Sequence, residues 1–355
     1  MQNKKTVLIF TDAVRALSAS AVKEQLLEEL PDAVVIIIDD LELHADAVRD
    51  YIENVFKLKV NFEKNRAVRE ERKLARKIDE TPKSSNVYKL QNSYKKMENI
   101  FNRYTPDLVV TIGYGAFNEA VAVRDKLGAK TRIASVIDDY ALNRQLINTY
   151  IDAYVVENMA VKTTLVNNYV KESRITLADI PVRKSFAQAP TQSEVLDELR
   201  LEKKLPTLLS VAFAEKGSEQ FETLAAYKDK FNILVYTGMN RGAYSEASGT
   251  GLATYNEGTA IETLYAAADI VLTNPNSYYV AAARETGKLI ALWEPANAIE
   301  KRNAAFLSGI TADCSDRHRL TRFLRHYPDT RFDAVRNASA LSSVRSVGKE
   351  LIKLI

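Results

Sequence analysis

Two adjacent carboxylates, Asp138 and Asp139, directly follow a short apolar run in the first half of the chain. This run, residues 132–137, has the length and composition of a buried β-strand. Parallel α/β sheets bind their ligands at the carboxyl ends of their strands. Two acids held side by side at such an edge can titrate abnormally or bind a cation. The alternative is that one acid caps the next helix while the other is solvated.

Similar apolar runs recur along the 355 residues, and each is followed by a helical pattern. Such runs are typical of buried parallel strands in βαβ units. They fall into two series: residues 6–10, 33–38, 107–112, 132–137, 153–156 and 174–177, then residues 207–213, 232–237, 269–273 and 288–293.

A polar, proline-containing stretch, residues 187–193, separates the two series. We therefore predict an α/β protein of two doubly wound, Rossmann-like domains, residues 1–188 and 205–355, joined by a linker over residues 189–204. Residues 344–355 carry apolar side chains at helical spacing, and we predict that they form a terminal helix of the second domain.

The composition excludes several classes of protein. A single cysteine, Cys314, rules out an internal disulfide and fits a reducing compartment. The three histidines are too scattered to suggest a metal site, and a net charge of +3 gives no general nucleic-acid signature. The first apolar run is too short for a signal peptide, and none reaches the ~20 residues needed to span a bilayer. We expect a cytoplasmic protein with no metal, no tightly bound cofactor and no nucleic-acid partner.

A basic segment in the first domain carries nine cations and three acids within residues 57–77, a net charge of +6. Cations with interleaved aromatic residues can rest on an anionic membrane. A solvated helix face is the plainer interpretation, and RNA binding is less favoured because no stacking motif accompanies the charge. The cations are Lys57, Lys59, Lys64, Arg66, Arg69, Arg72, Lys73, Arg76 and Lys77.

The densest run of motifs lies within residues 135–186. It consists of SVIDDYALN (135–143), IDAYVV (151–156), VK (161–162) and DIPVRKSF (179–186). In this order the motifs resemble the monogalactosyldiacylglycerol synthase and processive diacylglycerol glucosyltransferase family. Its members carry a Thr-Asp-aromatic turn, an Asp-x-Tyr-aromatic-Val strand, a Val-Lys helix start and a Gly-Ile-Pro-Val/Ile-Arg-x-x-Phe end. Residues 94–113 also resemble the family's helix and the strand after it.

The resemblance implies a GT-B glycosyltransferase, in which two Rossmann-like domains face each other across a cleft. The first domain would take a membrane lipid such as diacylglycerol, and the second would take a hexose carried on a nucleotide, usually UDP. The protein would be peripheral on the inner face of the cell membrane, with the basic segment against the lipid. Asp12, Asp138 and Asp139 become the catalytic candidates, with Asp12 as base and Arg15 as a phosphate partner. Otherwise Asp12 or Ser18 is a helix cap and nothing more.

The resemblance places the nucleotide-sugar site in the second domain, where this sequence departs most from the family pattern. Asn276 and Ser277 replace two glycines, Tyr279 replaces a threonine, and Ala282 replaces the acid that binds ribose. Glu285, one helical turn further on, is a possible substitute for that acid. The candidate residues are Gly217, Asn274, Asn276, Ser277, Tyr279, Glu285 and Asn303.

The loop after the first strand, residues 11–18, also departs from the family, because it has neither the glycines nor the histidine. These losses favour an alternative in which the chain keeps the GT-B fold without catalysis. It would then act as a protein partner, a chaperone-like binder or a regulatory subunit. A sugar-nucleotide epimerase shares the architecture, but residues 180–183 (IPVR) argue against it.

Overall fold

The computed structural model describes residues 4–12, 15–39, 43, 91–113, 116–211, 218–327 and 345–355. The chain divides into two compact units. The first comprises Met1–Arg183 together with Val344–Ile355, and the second comprises Lys184–Ser343. The basic segment of residues 57–77 and the candidate Gly217 lie outside the described residues.

The first unit is built on a sheet of six parallel strands in the order β2-β1-β3-β4-β5-β6. Strand order reverses between β1 and β3, which are hydrogen-bonded neighbours. In sheets of this kind, such a reversal marks the usual place for a ligand. The strands are β1 (Thr6–Thr11), β2 (Val34–Asp39), β3 (Leu108–Ile112), β4 (Arg132–Ile137), β5 (Ala153–Val156) and β6 (Ile175–Leu177).

Alternate side chains of a strand point to opposite faces of a sheet. Apolar clusters cover both faces of this one. In β1, Leu8 and Phe10 enter one apolar cluster, while Val7 and Ile9 enter another. All four side chains are fully buried. The helices are α1 (Ala16–Glu29), α2 (Gln91–Tyr104), α3 (Phe117–Leu127) and α4 (Met159–Asn167).

The second unit repeats this plan with six parallel strands in the order β12-β11-β10-β7-β8-β9. The order reverses between β7 and β10. The strands are β7 (Thr207–Val211), β8 (Asn232–Tyr236), β9 (Ala253–Tyr255), β10 (Ile270–Thr273), β11 (Leu289–Leu292) and β12 (Ala312–Asp313). The helices are α5 (Gln192–Glu198), α6 (Ser218–Ala225), α7 (Arg241–Gly249), α8 (Ile261–Ala267), α9 (Ser277–Glu285), α10 (Ala298–Leu307) and α11 (Arg317–His326). Across the described part of the chain, no helix is long and apolar enough to cross a membrane.

Three segments differ from the sequence-based predictions. The linker predicted over residues 189–204 contains α5, which starts at a capping box formed by Thr191 and Glu194. This helix packs within the second unit, where Gln192 donates a hydrogen bond to the Ala267 carbonyl oxygen at 3.0 Å. The structure also contains two short strands, β9 and β12, that the apolar runs did not indicate.

The prediction that the terminal helix belongs to the second domain is wrong. This helix, α12 (Val347–Leu351), belongs to the first unit. Val347 and Leu351 are buried in the same apolar cluster as Val22 and Leu26 of α1. The amphipathic pattern correctly indicated a helix, but such a pattern does not say which surface will cover its apolar face.

The close approach of α12 to α1 predicts an unusual effect for Gly348. A Cβ added there would lie 2.6 Å from the Gln25 backbone. We expect Gly348→Ala to lower the free energy of unfolding by ~1–3 kcal/mol through overpacking, although alanine normally stabilises a helix relative to glycine. Urea denaturation measures the change. Gly249, also helical, has open space around it, so Gly249→Ala should be neutral or stabilising. Equal effects of the two substitutions would contradict the close packing.

Candidate functional site

Arg15 lies at the carboxyl edge of the first sheet, between the end of β1 and the start of α1. Its backbone N–H donates to Asp12 Oδ1 at 3.0 Å, which fixes the turn between strand and helix. Gly113, directly after β3, makes room for this turn. Its φ is +98°, and a Cβ there would lie 2.8 Å from Asp12 Oδ2 and 3.0 Å from Arg15 Cδ. A side chain at position 113 would therefore displace Arg15 or Asp12.

The Arg15 guanidinium contacts all three carboxylates predicted to be catalytic. Its Nε lies 3.0 Å from Asp138 Oδ1, Nη1 lies 3.2 Å from Asp12 Oδ2, and Nη2 lies 3.2 Å from Asp139 Oδ2. The arginine side chain is 7% exposed, and those of Asp138, Asp139 and Asp12 are 8%, 13% and 22% exposed. We call these four residues the Arg15 cluster. From the sequence, Arg15 is predicted to bind phosphate. Its role in joining the ends of β1 and β4 is not predicted from the sequence.

Burial governs the protonation of Asp138. Loss of solvent raises its pKa from the ordinary 3.8 to about 6, and the negative charges of Asp139 and Asp12 act in the same direction. The Arg15 charge and a hydrogen bond from Ser18 oppose this rise in pKa. A carboxyl group that titrates near neutral pH is suited to general acid or base chemistry.

The loop that follows β4 is held from a neighbouring strand. Asn158, after β5, donates from Nδ2 to the Tyr140 carbonyl oxygen at 2.8 Å. Asn143 accepts a hydrogen bond from the Gln145 N–H at 2.9 Å and so caps a short 3₁₀ helix. These contacts fix the backbone around Asp138 and Asp139, so the two acids are placed by the fold of their own segment.

In the second unit, the structure brings together four of the predicted nucleotide-sugar residues. Asn303 donates from Nδ2 to the Pro275 carbonyl oxygen at 3.1 Å and to Ser277 Oγ at 2.9 Å. Asn274 donates from Nδ2 to the Glu294 carbonyl oxygen. Asn276 caps α9, where its Oδ1 accepts from the Tyr279 N–H at 3.4 Å. Asn274, Asn276 and Ser277 lie at the end of β10 and the start of α9, at the strand reversal of this sheet, and Asn303 contacts them from α10.

The remaining second-unit candidates lie apart from this polar group or face the interior. The Tyr279 ring is 6% exposed and packs edge-on against Tyr278 at 5.6 Å between centroids. Glu285 is the last residue of α9, ~12 Å along the helix from Ser277. Ala282, which replaces the family acid, is fully buried. The structure therefore does not bring Glu285 to the start of the helix.

Residues 16–182 match the protein-family model described as monogalactosyldiacylglycerol (MGDG) synthase. A processive diacylglycerol beta-glucosyltransferase of Bacillus licheniformis is 24% identical over 234 residues, and one of Bacillus subtilis is 22% identical over 233 residues. The family resemblance is confirmed. Each match covers 62% of this chain and 59% of the relative, so the chain spans about three fifths of the length of these relatives.

Solved structures extend the likeness to both units. A UDP-N-acetylglucosamine 2-epimerase has a TM-score of 0.62 at 13% identity, covering 100% of this chain and 95% of that one. MurG of Acinetobacter baumannii has a TM-score of 0.59 at 11% identity, covering 99% of each chain. UGT89C1 of Arabidopsis thaliana, complexed with UDP, has a TM-score of 0.59 at 12% identity, covering 99% of this chain and 98% of that one. These likenesses, together with the two parallel sheets, confirm the α/β, GT-B fold class.

Removal of the Arg15 guanidinium should strongly destabilise the first unit. Arg15→Gln leaves Asp138 and Asp139 buried without their counter-charge, and we expect a loss of ~3–5 kcal/mol in the free energy of unfolding at neutral pH. Urea denaturation measures this loss. Arg132→Gln is the control, because Arg132 is 57% exposed and its partner Asp152 keeps a second cation, Arg124. The control should cost less than ~1 kcal/mol. A similarly small cost for Arg15→Gln would show that the cluster does not depend on it.

The raised pKa of Asp138 predicts a specific pH dependence of stability. The folded state binds this proton more tightly than the unfolded chain does. The contribution of Asp138 to stability is therefore greatest below pH ~4 and declines as the pH rises through about 6, by up to ~3 kcal/mol. Asp138→Asn should remove this decline, as measured by urea denaturation at a series of pH values. The 64% exposed Asp197 provides a control, since Asp197→Asn should leave the decline in place. An equally steep decline in both variants would refute the assignment.

Proposed function

We propose that the protein transfers a hexose from a nucleotide sugar, UDP-linked, to a membrane lipid acceptor such as diacylglycerol. The observation that carries the proposal is the Arg15 cluster, which sets three carboxylates at the strand reversal of the unit that matches the MGDG synthase family. The printed names of the Bacillus relatives support the acceptor class. UDP in complex with a protein of the same fold supports the donor class.

In the proposed reaction, the acceptor hydroxyl oxygen forms a bond to the anomeric carbon of the sugar. The bond from that carbon to the diphosphate oxygen breaks, and the hydroxyl proton passes to a carboxylate. Asp12 is the best-placed acceptor of the proton, because its side chain is the most exposed of the three. Asp138 titrates near neutral pH and is the second group able to hold the proton. Arg15 and Asp139 keep these two carboxylates in position.

The departing diphosphate requires positive or dipolar groups, and the start of α9 can supply them. Asn276 occupies this helix end with its own side chain, but the Asn276–Tyr279 hydrogen bond of 3.4 Å is longer than the usual 2.7–3.2 Å. A diphosphate oxygen can therefore replace Asn276 Oδ1 as the acceptor at little cost. The Asn276 amide would then be free to donate to the same diphosphate, as Ser277 could from its hydroxyl.

We also propose that the protein is cytoplasmic and binds the inner face of the cell membrane. The basic segment of residues 57–77 lies outside the described residues, so its contact with lipid stays a prediction. No metal or tightly bound cofactor enters the proposed reaction.

A second candidate function is a non-catalytic GT-B protein that acts as a binding partner or regulatory subunit. Two observations favour it. Arg15 holds all three carboxylates in ion pairs, and Asn276 fills the helix end that an anion would otherwise take. Donor binding and transfer distinguish the two candidates.

Thermal denaturation with UDP and UDP-glucose tests donor binding. If the donor site works, a ligand at 100 times its dissociation constant should stabilise the protein by ~2.7 kcal/mol. Asn276→Ala should abolish the stabilisation by UDP. Asn240→Ala should keep it, although it removes a similar cap from α7, where Asn240 accepts from the Ala243 N–H at 3.0 Å. Failure of millimolar UDP to shift the melting temperature of the wild type would reject this donor class.

The transfer step has its own measurement. Incubation of wild-type protein with UDP-glucose and dispersed diacylglycerol should yield glucosyl diacylglycerol. Asp12→Asn should lower the rate at least a hundredfold and leave the UDP stabilisation unchanged. Stabilisation by UDP without any transfer in the wild type would favour the non-catalytic candidate.

A further inference from the structure

Helix α11 (Arg317–His326) is the most basic helix of the described chain, and its sequence is RHRLTRFLRH. Leu320, Phe323 and Leu324 are buried in the apolar cluster of the second unit. The six basic and histidine side chains are all exposed, and the helix contains no acid. They are Arg317, His318, Arg319, Arg322, Arg325 and His326.

Only one of these arginines has acidic partners among the described residues. Arg319 contacts Asp313 at 2.6 Å and Asp316 at 3.3 Å. No ion pair forms between the described carboxylates and Arg317, Arg322 or Arg325. These three cations, with His318 and His326, form the surface that we call the α11 face. It extends ~14 Å along the helix.

Part of the charge pattern of the α11 face is unfavourable for the helix itself. Arg317 and His318 lie in its first turn, where the helix dipole disfavours cations. Arg322 and Arg325 are three residues apart, so their like charges repel one another on the same side of the helix. Arg325 and His326 lie in the last turn, where the helix dipole favours basic groups, so the unfavourable terms are Arg317 in the first turn and the Arg322–Arg325 pair. An external anionic surface would supply the counter-charge for these arginines.

We propose that the α11 face docks on an anionic lipid surface. Guanidinium groups match phosphate oxygens in geometry, and several exposed cations on one helix can contact a negatively charged bilayer. The inference rests on the proposed function in one respect, since a lipid acceptor requires the protein to reach a membrane. It adds a second contact surface, in the unit that carries the nucleotide-sugar candidates.

Nucleic acid is a less suitable partner for the α11 face. Single-stranded nucleic acid is bound by cations together with aromatic rings that stack on bases. The aromatic residues of this region are engaged inside the protein, because the Tyr327 ring packs against Phe323 at 5.9 Å and against Phe231 at 5.7 Å. Phe323, Tyr327 and Phe231 are therefore not available to stack on bases beside these cations.

Sedimentation of the full chain with vesicles, in the absence of nucleotide, tests the proposal. We expect binding to vesicles of phosphatidylglycerol and phosphatidylcholine, and none to phosphatidylcholine alone. The combined change Arg317→Gln, Arg322→Gln and Arg325→Gln should weaken binding about a hundredfold, at ~1 kcal/mol for each cation.

The control removes three exposed cations from other elements of the second unit. Arg200→Gln, Arg241→Gln and Lys301→Gln together change the net charge equally and should leave vesicle binding nearly intact. An equal loss in both variants would overturn the proposal, because it would show a non-specific charge effect. Unchanged binding of the α11 variant would overturn it too, and would locate the lipid contact elsewhere. Tighter binding of the wild type to polyuridylic acid than to vesicles would assign the α11 face to RNA instead.

The outcome is separable from that of the proposed function. The α11 variant should melt at or slightly above the wild-type temperature, because it loses unfavourable charges. It should keep any stabilisation by UDP, because α11 carries none of the donor candidates. Loss of vesicle binding with UDP stabilisation intact would support the α11 face on its own. Vesicle binding in a protein that fails to bind UDP would support it while rejecting the donor proposal.

Discussion

The burial of one guanidinium among three carboxylates is the interaction on which the first unit depends. Asp138 and Asp139 are largely buried, and Arg15 supplies the counter-charge to both carboxylates. In turn, Arg15 fits only because Gly113 leaves the space beside it empty. Ion pairs thus join the ends of β1 and β4 beside the end of β3, at the strand reversal, where hydrogen bonds of the sheet no longer hold the chain. A folding requirement and a candidate reaction centre therefore occupy the same few side chains.

In the second unit, neutral amide side chains stabilise the loops at the strand reversal. Asn303 bridges the Pro275 carbonyl and the Ser277 hydroxyl, while Asn276 caps α9. In the family pattern, glycines leave backbone N–H groups exposed at this helix start. In this chain, the Asn276 side chain accepts a hydrogen bond from one of these N–H groups. The two units thus share a topology but differ in how their loops are stabilised, with charge in one and amide hydrogen bonds in the other.

The sequence predicted much of this fold because buried parallel strands have a direct signature. Within residues 107–112, the stretch 108–112 (LVVTI) is apolar except for Thr111, and the structure buries all five of these residues in β3. The short strands β9 and β12 carry no such run, since they have three and two residues and include polar side chains. Arg15 was harder to interpret, because a single arginine in a loop has no periodicity. Its role depends on Asp138, 123 residues away in sequence. The one available signal was the presence of acids after both the first and the fourth strand of the first series.

The return of α12 to the first unit has a consequence for how the chain is made. The Gly348 N–H donates to Gln25 Oε1 across 323 positions of sequence. A polypeptide that emerges from the ribosome in order presents α1 long before its covering helix exists. Val22 and Leu26 remain uncovered on that side until residues 347–351 have been synthesised. The first unit is therefore completed only after the second unit has been translated. Until then, this face of α1 is exposed to chaperones and to aggregation in the nascent chain.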